Sequence, residues 1–341
     1  MIRMGVIGCG YWGPNLIRNF MHNAEVELVS MADLDPQRLQ RVGNLYPFVQ
    51  RSTDPFAVIG DPSLDAVVVA TPVASHYPLG KAVLEAGKHL FVEKPMASSS
   101  DECKRLLEAA DARGLVIMVG HTFLFSPAVR KIRSLIDAGD LGDIYYVSIT
   151  RVNLGIFQKD VNVVWDLAPH DVAMLNHLFG ANPDIVSATG RSYVQIERSI
   201  EDVAFLTLEY PGRQIAHVHV SWLDPNKIRR ATFVGSRKML VYDDVDPTEK
   251  IKVYDKGVEI QPHYDSFGEF QLTLRSGDIF VPRVEMTEPL KIEAQHFVDV
   301  IKGDAKAISS GQHGLDVVVA LEKACQSIKE DGRPLEVGLS V

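Results

Sequence analysis

Three glycines near the start of the chain have the spacing of a dinucleotide-binding turn. Gly8, Gly10 and Gly13 follow an apolar run and open a helical stretch. The first glycine permits a tight turn, the second lets the backbone approach a pyrophosphate, and the third lets helix and strand pack closely. Asp33 lies 20 residues after Gly13, where a carboxylate binds the ribose hydroxyls of adenosine. The alternative is an ordinary glycine turn with a strand-end cap at Asp33.

These residues favour NAD over NADP, because Asp33 repels a 2′-phosphate, although Arg38 nearby could attract one. The other candidate cofactor contacts lie in the turn or at the ends of later apolar runs: Tyr11, Trp12, Thr71, Pro72, His76, Glu93, Lys94 and His121. Open α/β sheets bind ligands at the carboxyl ends of their strands. Thr71 could equally mark a strand exit before proline, and His76 could be an ordinary residue in the first turn of the next helix.

A lysine at the end of an apolar strand, in Glu93-Lys94-Pro95, is the first candidate for proton transfer. A buried amine is costly unless it is paired or functional. An oxidised nicotinamide beside it would lower its pKa, so it could exchange a proton with a substrate hydroxyl. Pro95 stiffens the turn and permits a cis bond. The alternative is a surface salt bridge between Glu93 and Lys94.

A carboxylate and an imidazole four residues apart, Asp166 and His170, are the second candidate. On a helix they share one face, and together they form a general acid/base pair. Pro169 fits only if the helix begins near it or if the stretch is irregular at its start, so we expect His170 close to a helix N-terminus. The alternative is a helix cap with a structural histidine, and Asp171 could be an acid that favours the helix dipole.

The elements that position these residues change in character near His121. Before it, short apolar runs alternate with amphipathic helices, which indicates βαβ units and a parallel sheet. After it, long alternating segments with tight turns, such as the one at Gly212, indicate an antiparallel or mixed sheet. One clear helix, Val163–Phe179, interrupts these strands, and amphipathic helices over 285–303 and 311–330 close the chain.

Length and composition predict two globular domains. The chain has 341 residues, of which 46% are hydrophobic and 23% charged, so it can bury a large core. The predicted fold is α/β. Residues 1–122 are expected to form an N-terminal Rossmann domain with a doubly wound parallel sheet. Residues 123–341 are expected to form a C-terminal α/β domain with a large open mixed or antiparallel sheet for substrate binding and oligomerisation.

Charge and cysteine usage exclude several classes of function. The net charge of -9 without a basic patch argues against nucleic acid or an anionic membrane as partner. No apolar run reaches the roughly 18 residues of a membrane span, and the N-terminal run lacks a signal-peptide pattern. Three widely spaced cysteines indicate a reducing compartment, so we expect a cytoplasmic location. His217 and His219 share a sheet face without an evident third ligand, so no metal site is expected.

The chain resembles the glucose–fructose oxidoreductase/inositol dehydrogenase (Gfo/Idh/MocA) family nearly from end to end. The resemblance rests on GVIGCGYWG at 5–13, VVVATPVASHYPLGKAVLEAGKHLFVEKP at 67–95, WDLAPHDVAMLNHLFG at 165–180 and EPLKIEAQHFVDVIKG at 288–303. It implies that Lys94 is the catalytic lysine and that Asp166 and His170 form the family's Asp-x-x-x-His helix. It also implies a Rossmann domain followed by an α/β domain that often oligomerises, so we expect a homodimer or homotetramer.

The segment 151–171 is similar to family members that act on nucleotide-linked sugars in polysaccharide pathways. Several of these oxidise the sugar C3 hydroxyl and so prepare a keto sugar for an aminotransferase. The family's usual glycine-rich approach to the Asp-x-x-x-His helix is replaced by VNVVW at 161–165, which disfavours a simple free sugar or inositol. The expected reaction is hydride transfer between the secondary alcohol of a sugar, UDP-linked and at C3, and the nicotinamide of NAD.

In this reaction His170, oriented by Asp166, is expected to take the hydroxyl proton while Lys94 bonds to the same oxygen, or the two roles are exchanged. The expected substrate contacts are Asn153, Gln158, Lys159, Trp165, Asp166 and His170, and the first four could equally be ordinary loop residues. The alternatives are an inositol or free-sugar dehydrogenase, an NADP-dependent keto-sugar reductase, and a non-catalytic NAD-sensing regulator. A proton-transfer pair argues against the regulator.

Overall fold

A computed structural model describes residues 1–155, 157–260 and 272–338. The chain forms two compact units. The first contains Met1–Ser126 and Thr287–Glu322, and the second contains Pro127–Met286 and Lys323–Val341. Residues 287–322, which the sequence prediction placed in the second domain, therefore belong to the first unit. The domain boundary at residue 122 stays a prediction.

The helices and strands of the described residues follow one another in a regular order in the first unit and in longer runs of strands in the second. The helices are α1 (Gly13–Met21), α2 (Pro36–Gly43), α3 (Pro55–Ile59), α4 (His76–Glu85), α5 (Ser100–Asp111), α6 (Pro127–Asp137), α7 (Val163–Phe179), α8 (Pro289–Ile301) and α9 (Gly311–Lys329). The strands are β1 (Ile2–Ile7), β2 (Val26–Ala32), β3 (Gln50–Ser52), β4 (Ala66–Val69), β5 (His89–Glu93), β6 (Ile117–Gly120), β7 (Ile144–Val152), β8 (Ile185–Arg191), β9 (Val203–Glu209), β10 (Ile215–Ser221), β11 (Ile228–Gly235), β12 (Met239–Asp243), β13 (Ile251–Ile260), β14 (Leu272–Phe280) and β15 (Leu335–Glu336).

The first unit contains a parallel sheet in the strand order β3-β2-β1-β4-β5-β6. The predicted doubly wound parallel sheet is confirmed. Its central strands are largely apolar because helices cover both faces, and all four residues of β4 are buried. From β1 the chain adds β2 and β3 on one side, and it then crosses back to place β4 on the other side of β1. The carboxyl ends of β1 and β4 therefore flank a topological switch point.

An aromatic cluster explains why the segment after residue 286 joins the first unit. Phe20 of α1, Phe91 of β5 and Phe297 of α8 are fully buried and meet edge to face, with ring centroids 5.5 to 6.3 Å apart. Such pairs stabilise a core beyond the area that they bury. Arg18 of α1 adds two hydrogen bonds to the carboxylate of Glu288, at the start of α8.

The second unit contains a nine-stranded mixed sheet in the order β14-β13-β12-β11-β7-β10-β9-β8-β15. Strands β7 and β10 run parallel, while the other paired strands that the structure describes are antiparallel. Helix α7 packs on β7, β9 and β10. Along β10, Ala216, Val218 and Val220 are buried, and the side chains between them point to the opposite face.

That opposite face carries apolar and aromatic side chains. Phe205 of β9 stacks on His219 at a centroid distance of 4.4 Å and on His217 at 6.2 Å. Phe205 is 42% exposed and Ile215 is 46% exposed. The stacking gives the two histidines a packing role on the sheet surface. No helix within the described ranges is long and apolar enough to cross a bilayer.

Candidate active site

The turn between β1 and α1 needs its glycines for steric reasons. Gly8 has a φ of 107°, and a Cβ there would collide with the carbonyl oxygen of Ala70. A Cβ on Gly13 would overlap the carbonyl oxygen of Gly8, so glycine lets α1 begin this close to β1. A Cβ on Gly10 would meet only the Arg38 guanidinium, at 3.8 Å, so the backbone there is open to a close approach.

The N-terminus of α1 is suited to an anion. It has no side-chain cap and no acidic residue in its first turn, whereas Asp35, Asp54 and Ser99 cap α2, α3 and α5. The N–H groups of the first turn and the positive end of the helix dipole therefore favour a bound pyrophosphate. Tyr11 is 92% exposed and Trp12 is 37% exposed beside this turn. The turn fits the dinucleotide that its glycine spacing predicts.

Asp33 follows β2 and ties two loops of this edge together. One carboxylate oxygen accepts the Cys9 N–H at 2.6 Å, and the other accepts the Asp35 N–H at 2.8 Å. A carboxylate has about four acceptor sites, so these two bonds leave room for ribose hydroxyls. The Arg38 guanidinium lies 3.3 Å from the Asp35 carboxylate, which engages the cation that could attract a 2′-phosphate. The arrangement supports NAD.

His76 bridges two loops at the same sheet edge. Its Nδ1 is 2.8 Å from the carbonyl oxygen of Pro95, and its Nε2 is 2.7 Å from that of Thr71. Burial lowers the pKa of His76, while these two contacts oppose the shift. Pro72 precedes a short 3-10 turn, and Ser75 donates to the Thr71 hydroxyl at 2.7 Å. Both ring nitrogens of His76 thus contact loop carbonyls, and cofactor contacts by Thr71, Pro72 and His76 stay predictions.

Glu93 and Lys94 stand where β5 leaves the sheet. Lys94 and Pro95 are joined by a cis peptide, which the sequence had allowed. The Glu93 carboxylate is buried and accepts the Lys94 backbone N–H at 3.2 Å. Burial raises the pKa of Glu93 to about 7, and the Lys94 charge and a hydrogen bond from Trp12 oppose this rise. Trp12 thus links the glycine turn to the strand end that carries Lys94.

His121 follows β6, the neighbour of β5, and is 1% exposed. Its ring meets the His313 ring of α9 edge to face at 5.5 Å. Burial lowers the pKa of His121 well below its usual value, and the nearby His313 and Lys94 lower it further. The structure therefore brings the predicted cofactor residues of the first unit to the carboxyl ends of β1, β2, β4, β5 and β6.

In the second unit, Asp166 and His170 lie on α7, and one expectation about them was wrong. Helix α7 begins at Val163, so His170 lies about two turns into the helix rather than near its N-terminus. Asn162 accepts the Trp165 N–H at 3.1 Å and sets the start of the helix. Pro169 is tolerated inside because the helix is buried on the sheet, and this packing outweighs one lost backbone bond.

Trp222, at the end of β10, contacts Asp166 and was missed by the sequence prediction. Its indole N–H donates to Asp166 Oδ2 at 2.9 Å, and its side chain is 1% exposed. Phe157 packs against it edge to face at 5.6 Å. A buried indole has one donor and needs an acceptor, which is the signal that could have identified it. Trp222 therefore holds the carboxylate that shares a helix face with His170.

The other four predicted substrate contacts lie near the end of the second sheet at which Trp222 follows β10. The Asn153 N–H donates to the Ser221 carbonyl at 3.2 Å, and the Gln158 carbonyl accepts from the Gln195 side chain at 2.8 Å. Lys159 is exposed. The Trp165 side chain hydrogen-bonds Cys325 of α9. Their contacts with substrate stay predictions.

Asp171 has a different role from the dipole partner that the sequence suggested. It is 0% exposed and forms two hydrogen bonds, at 2.7 and 2.8 Å, with the Arg151 guanidinium of β7. The ion pair ties α7 to the sheet at the residue after His170, which fixes the rotation of the helix.

Within the described residues, no group of three potential ligand side chains could hold a metal ion.

Comparison with known proteins matches both parts of the chain to one family. Residues 2–121 match the oxidoreductase family with an NAD-binding Rossmann fold, and residues 129–241 match the GFO/IDH/MocA C-terminal domain. Inositol 2-dehydrogenase from Rhizobium meliloti (strain 1021) is 25% identical over 340 residues, which are 96% of this chain and 97% of the relative.

Two further relatives differ in the substrates that they are named for. scyllo-Inositol 2-dehydrogenase (NAD(+)) from Bacillus subtilis (strain 168) is 31% identical over 196 residues, which are 56% of this chain and 57% of the relative. The structure of UDP-N-acetylglucosamine 3-dehydrogenase from Acidithiobacillus ferrooxidans superposes with a TM-score of 0.79 at 23% identity, covering 96% of this chain and 98% of that one. At this identity, the last similarity shows a shared fold.

Proposed function

Because the chain belongs to the Gfo/Idh/MocA family of NAD-binding oxidoreductases, we propose that it oxidises a secondary alcohol of a nucleotide-linked sugar. As a member of this family, the protein is an NAD-dependent dehydrogenase that acts on CH–OH groups. The proposal adds the substrate class and position, a UDP-linked sugar oxidised at C3 to a keto sugar.

The observation that carries the redox function is the placement of Lys94. The lysine follows a buried carboxylate at the carboxyl edge of the sheet, and Trp12 connects that carboxylate to the glycine turn. An amine at this edge lies among the residues suited to a dinucleotide, where it can exchange a proton as hydride leaves the carbon. A purely structural salt bridge would not require the adjoining carboxylate to be buried.

The substrate class is supported by the approach to α7. The segment 151–171 resembles that of members acting on nucleotide-linked sugars, and Asn162 caps the helix where the family commonly has glycines. A UDP-N-acetylglucosamine 3-dehydrogenase has the same fold. The named inositol dehydrogenases favour a second candidate, oxidation of a free inositol, and the 25% identity over nearly the whole chain supports it.

Each unit supplies groups with separate tasks in the proposed reaction. When bound, NAD accepts the hydride. The glycine turn and the start of α1 bind its pyrophosphate, and Asp33 binds its ribose hydroxyls. Lys94 and His170 are the proposed proton-transfer residues for the substrate hydroxyl, and Asp166, held by Trp222, is the positioning residue for His170. Acid/base assistance of this kind contributes roughly 10²–10⁴-fold.

The test is NADH formation with a panel of UDP-sugars, free inositols and aldoses, measured by absorbance. The proposal expects the highest kcat/KM with a UDP-sugar and a C3 keto product by mass spectrometry. A preference for an inositol would replace it with the second candidate, and tighter binding of NADP would contradict the role of Asp33. Tight NAD binding with no turnover across the panel would favour a regulator. Full activity of Lys94→Ala and His170→Ala would contradict the assigned site.

We also propose a homo-oligomer in the cytoplasm. The outer face of the second sheet exposes Tyr146, Phe205 and Ile215, and apolar faces of this kind are usually covered by another subunit. All three cysteines of the chain are free thiols, which suits a reducing compartment. Light scattering after size exclusion would give a dimer or tetramer, and Phe205→Asp is expected to shift it toward the monomer.

A further inference from the structure

The loop between β8 and β9, residues 192–202, exposes apolar side chains at the end of the second sheet where Trp222 follows β10. Tyr193 is 63% exposed, and Val194 and Ile196 are exposed as well. Exposed apolar side chains are ordinary when they are scattered singly, whereas three of them within four residues form a patch that can bind a ligand. A free inositol carries a hydroxyl on every ring carbon, so it needs polar partners and gains little from such a patch.

Asp202 holds the exposed part of this loop in place. Its side chain is fully buried, and its Oδ2 accepts the backbone N–H groups of Tyr193 and Val194 at 2.9 and 2.7 Å. The Gln195 side chain adds a hydrogen bond of 2.8 Å to the carbonyl of Gln158, on the loop that follows β7. Hydrogen bonds to a carboxylate are strong, so the loop presents the Tyr193 side chain from a fixed backbone, which lowers the entropy that binding would cost.

The same loop is bonded to the residues around Asp166. The Asp202 carbonyl accepts the backbone N–H of Trp222 at 2.9 Å, and the Trp222 indole donates to Asp166. The carbonyl of Glu201 accepts the N–H of Val163, the first residue of α7, at 3.0 Å. The loop therefore contacts both the start of α7 and the residue that holds Asp166. A ligand longer than one sugar ring could extend from Asp166 to the exposed patch.

We propose that residues 193–196 bind the nucleoside part of a nucleotide-linked sugar, with the Tyr193 ring stacked on the base, an inference that rests on the substrate class proposed above. Val194 and Ile196 supply apolar surroundings for the base. Every base has two flat π-faces, and stacking on an aromatic side chain raises affinity by about 5- to 150-fold, which is about 1–3 kcal/mol at 1.4 kcal/mol per tenfold. The oxidised ring and the base are then recognised at two separate places, Asp166 and Tyr193.

The size and the position of the patch favour a nucleoside over a second copy of the chain as its occupant. Three side chains on one loop offer less than the roughly 800 Å² that each partner buries in a stable protein–protein interface. The patch is also continuous, through Asp202 and Trp222, with the carboxylate proposed to position His170. A small ligand bound at the patch is therefore held beside the proposed site of oxidation.

The experiment measures binding of UDP by calorimetry, without a sugar and without a redox step. NAD is present at saturation, so that UDP cannot occupy the dinucleotide turn. Tyr193→Ala should weaken UDP binding by about 5- to 150-fold, whereas Tyr193→Phe keeps the ring and should retain the affinity. Tyr145→Ala is the matched control, because it removes an exposed tyrosine near the opposite end of β7 and should leave UDP affinity unchanged. Ribose 5-phosphate, which lacks the base, should not compete with UDP.

A second pair of variants tests the loop anchor. Asp202→Ala leaves the N–H groups of Tyr193 and Val194 without their acceptor and should weaken UDP binding as Tyr193→Ala does. Asp202→Asn keeps an oxygen at that position and should restore most of the affinity. If Asp202→Ala does not fold, the Tyr193 variants decide by themselves.

Absence of UDP binding, equal UDP affinity in the wild type and Tyr193→Ala, or competition by ribose 5-phosphate would overturn the inference. So would a Tyr193→Ala variant that loses self-association while its UDP affinity is unchanged, because a second copy would then be the occupant. Turnover keeps this outcome separate from the proposed function. Oxidation of a UDP-sugar at C3 with the same KM in Tyr193→Ala would refute the base subsite alone, whereas UDP binding that depends on Tyr193, without sugar oxidation, would support the subsite and refute the proposed reaction.

Discussion

Replacing Trp222 by phenylalanine should weaken catalysis through one hydrogen bond. The indole donates to Asp166 at 2.9 Å, and phenylalanine keeps most of the ring packing against Phe157. A hydrogen bond to a charged group contributes about 1.5–3 kcal/mol. Because Asp166 is only half-buried, water can replace part of the bond, so the lower end of this range applies. About 1.5 kcal/mol corresponds to a roughly tenfold loss of kcat/KM.

The assay compares kcat/KM for Trp222→Phe in two backgrounds, wild type and His170→Ala. If Asp166 acts by orienting His170, the tenfold loss should disappear once the imidazole is gone. Tyr210→Phe is the control: it removes a buried hydroxyl that donates to Asn176 of α7 at 2.8 Å, and it should lower the melting temperature while leaving kcat/KM unchanged. A tenfold loss that persists in His170→Ala would refute the positioning role.

Three other variants test the cofactor site, the helix anchor and the buried carboxyl of Glu293. Asp33→Ala should weaken NAD binding at least tenfold by calorimetry, since hydrogen bonds to a charged group contribute about 1.5–3 kcal/mol. It should also reduce the ratio of NAD affinity to NADP affinity, and an unchanged ratio contradicts the NAD assignment. Asp171→Ala leaves Arg151 buried without its partner and should lower the free energy of unfolding in urea by about 3–5 kcal/mol. The double variant with Arg151→Met should regain most of that stability, and equal losses of stability in the single and double variants would contradict the ion-pair argument. Because burial raises the pKa of Glu293 in the folded state, its protonated carboxyl contributes stability that is complete below the unfolded pKa of about 4.3. This contribution is lost as the pH rises toward the folded-state pKa, with a slope of at most about 1.4 kcal/mol per pH unit. Glu293→Gln should flatten that decline in stability as the pH rises above about 4.3, and a decline as steep as in the wild type would show that Glu293 does not titrate there.

The parallel sheet of the first unit could be predicted because both of its faces are buried. Strands such as β4 then appear as uninterrupted apolar runs, and the glycine turn follows the first of them directly. The prediction missed β3, whose three residues are polar and largely exposed, and the five-residue helix α3. Neither carries a periodic signal, since a short edge element buries too little to show one.

The second unit was harder to predict in its outer strands. Strands β13 and β14 were missed because many of the described side chains along them are polar or exposed, which removes the contrast between inner and outer faces. The turn before β10 was assigned to Gly212, but the residue with a left-handed backbone is Arg213, with a φ of 65°. The position of His170 was predicted wrongly because the rule that proline belongs near a helix start was applied where tertiary packing outweighs it.

The least predictable part of the proposed site is the set of residues that hold the predicted side chains in place. Lys94 and Asp166 could be predicted from residue type and spacing, whereas Trp222 is an ordinary residue at the end of a strand when it is viewed locally. Its contact with Asp166 comes from the approach of the β10 terminus to α7 within the second unit, just as the return of the chain after residue 286 packs α8 against β5. Spacing rules act over a few residues, while these contacts join positions far apart in sequence. A candidate reactive group can therefore be predicted from its own strand end, but the residues that position it follow only from the packing.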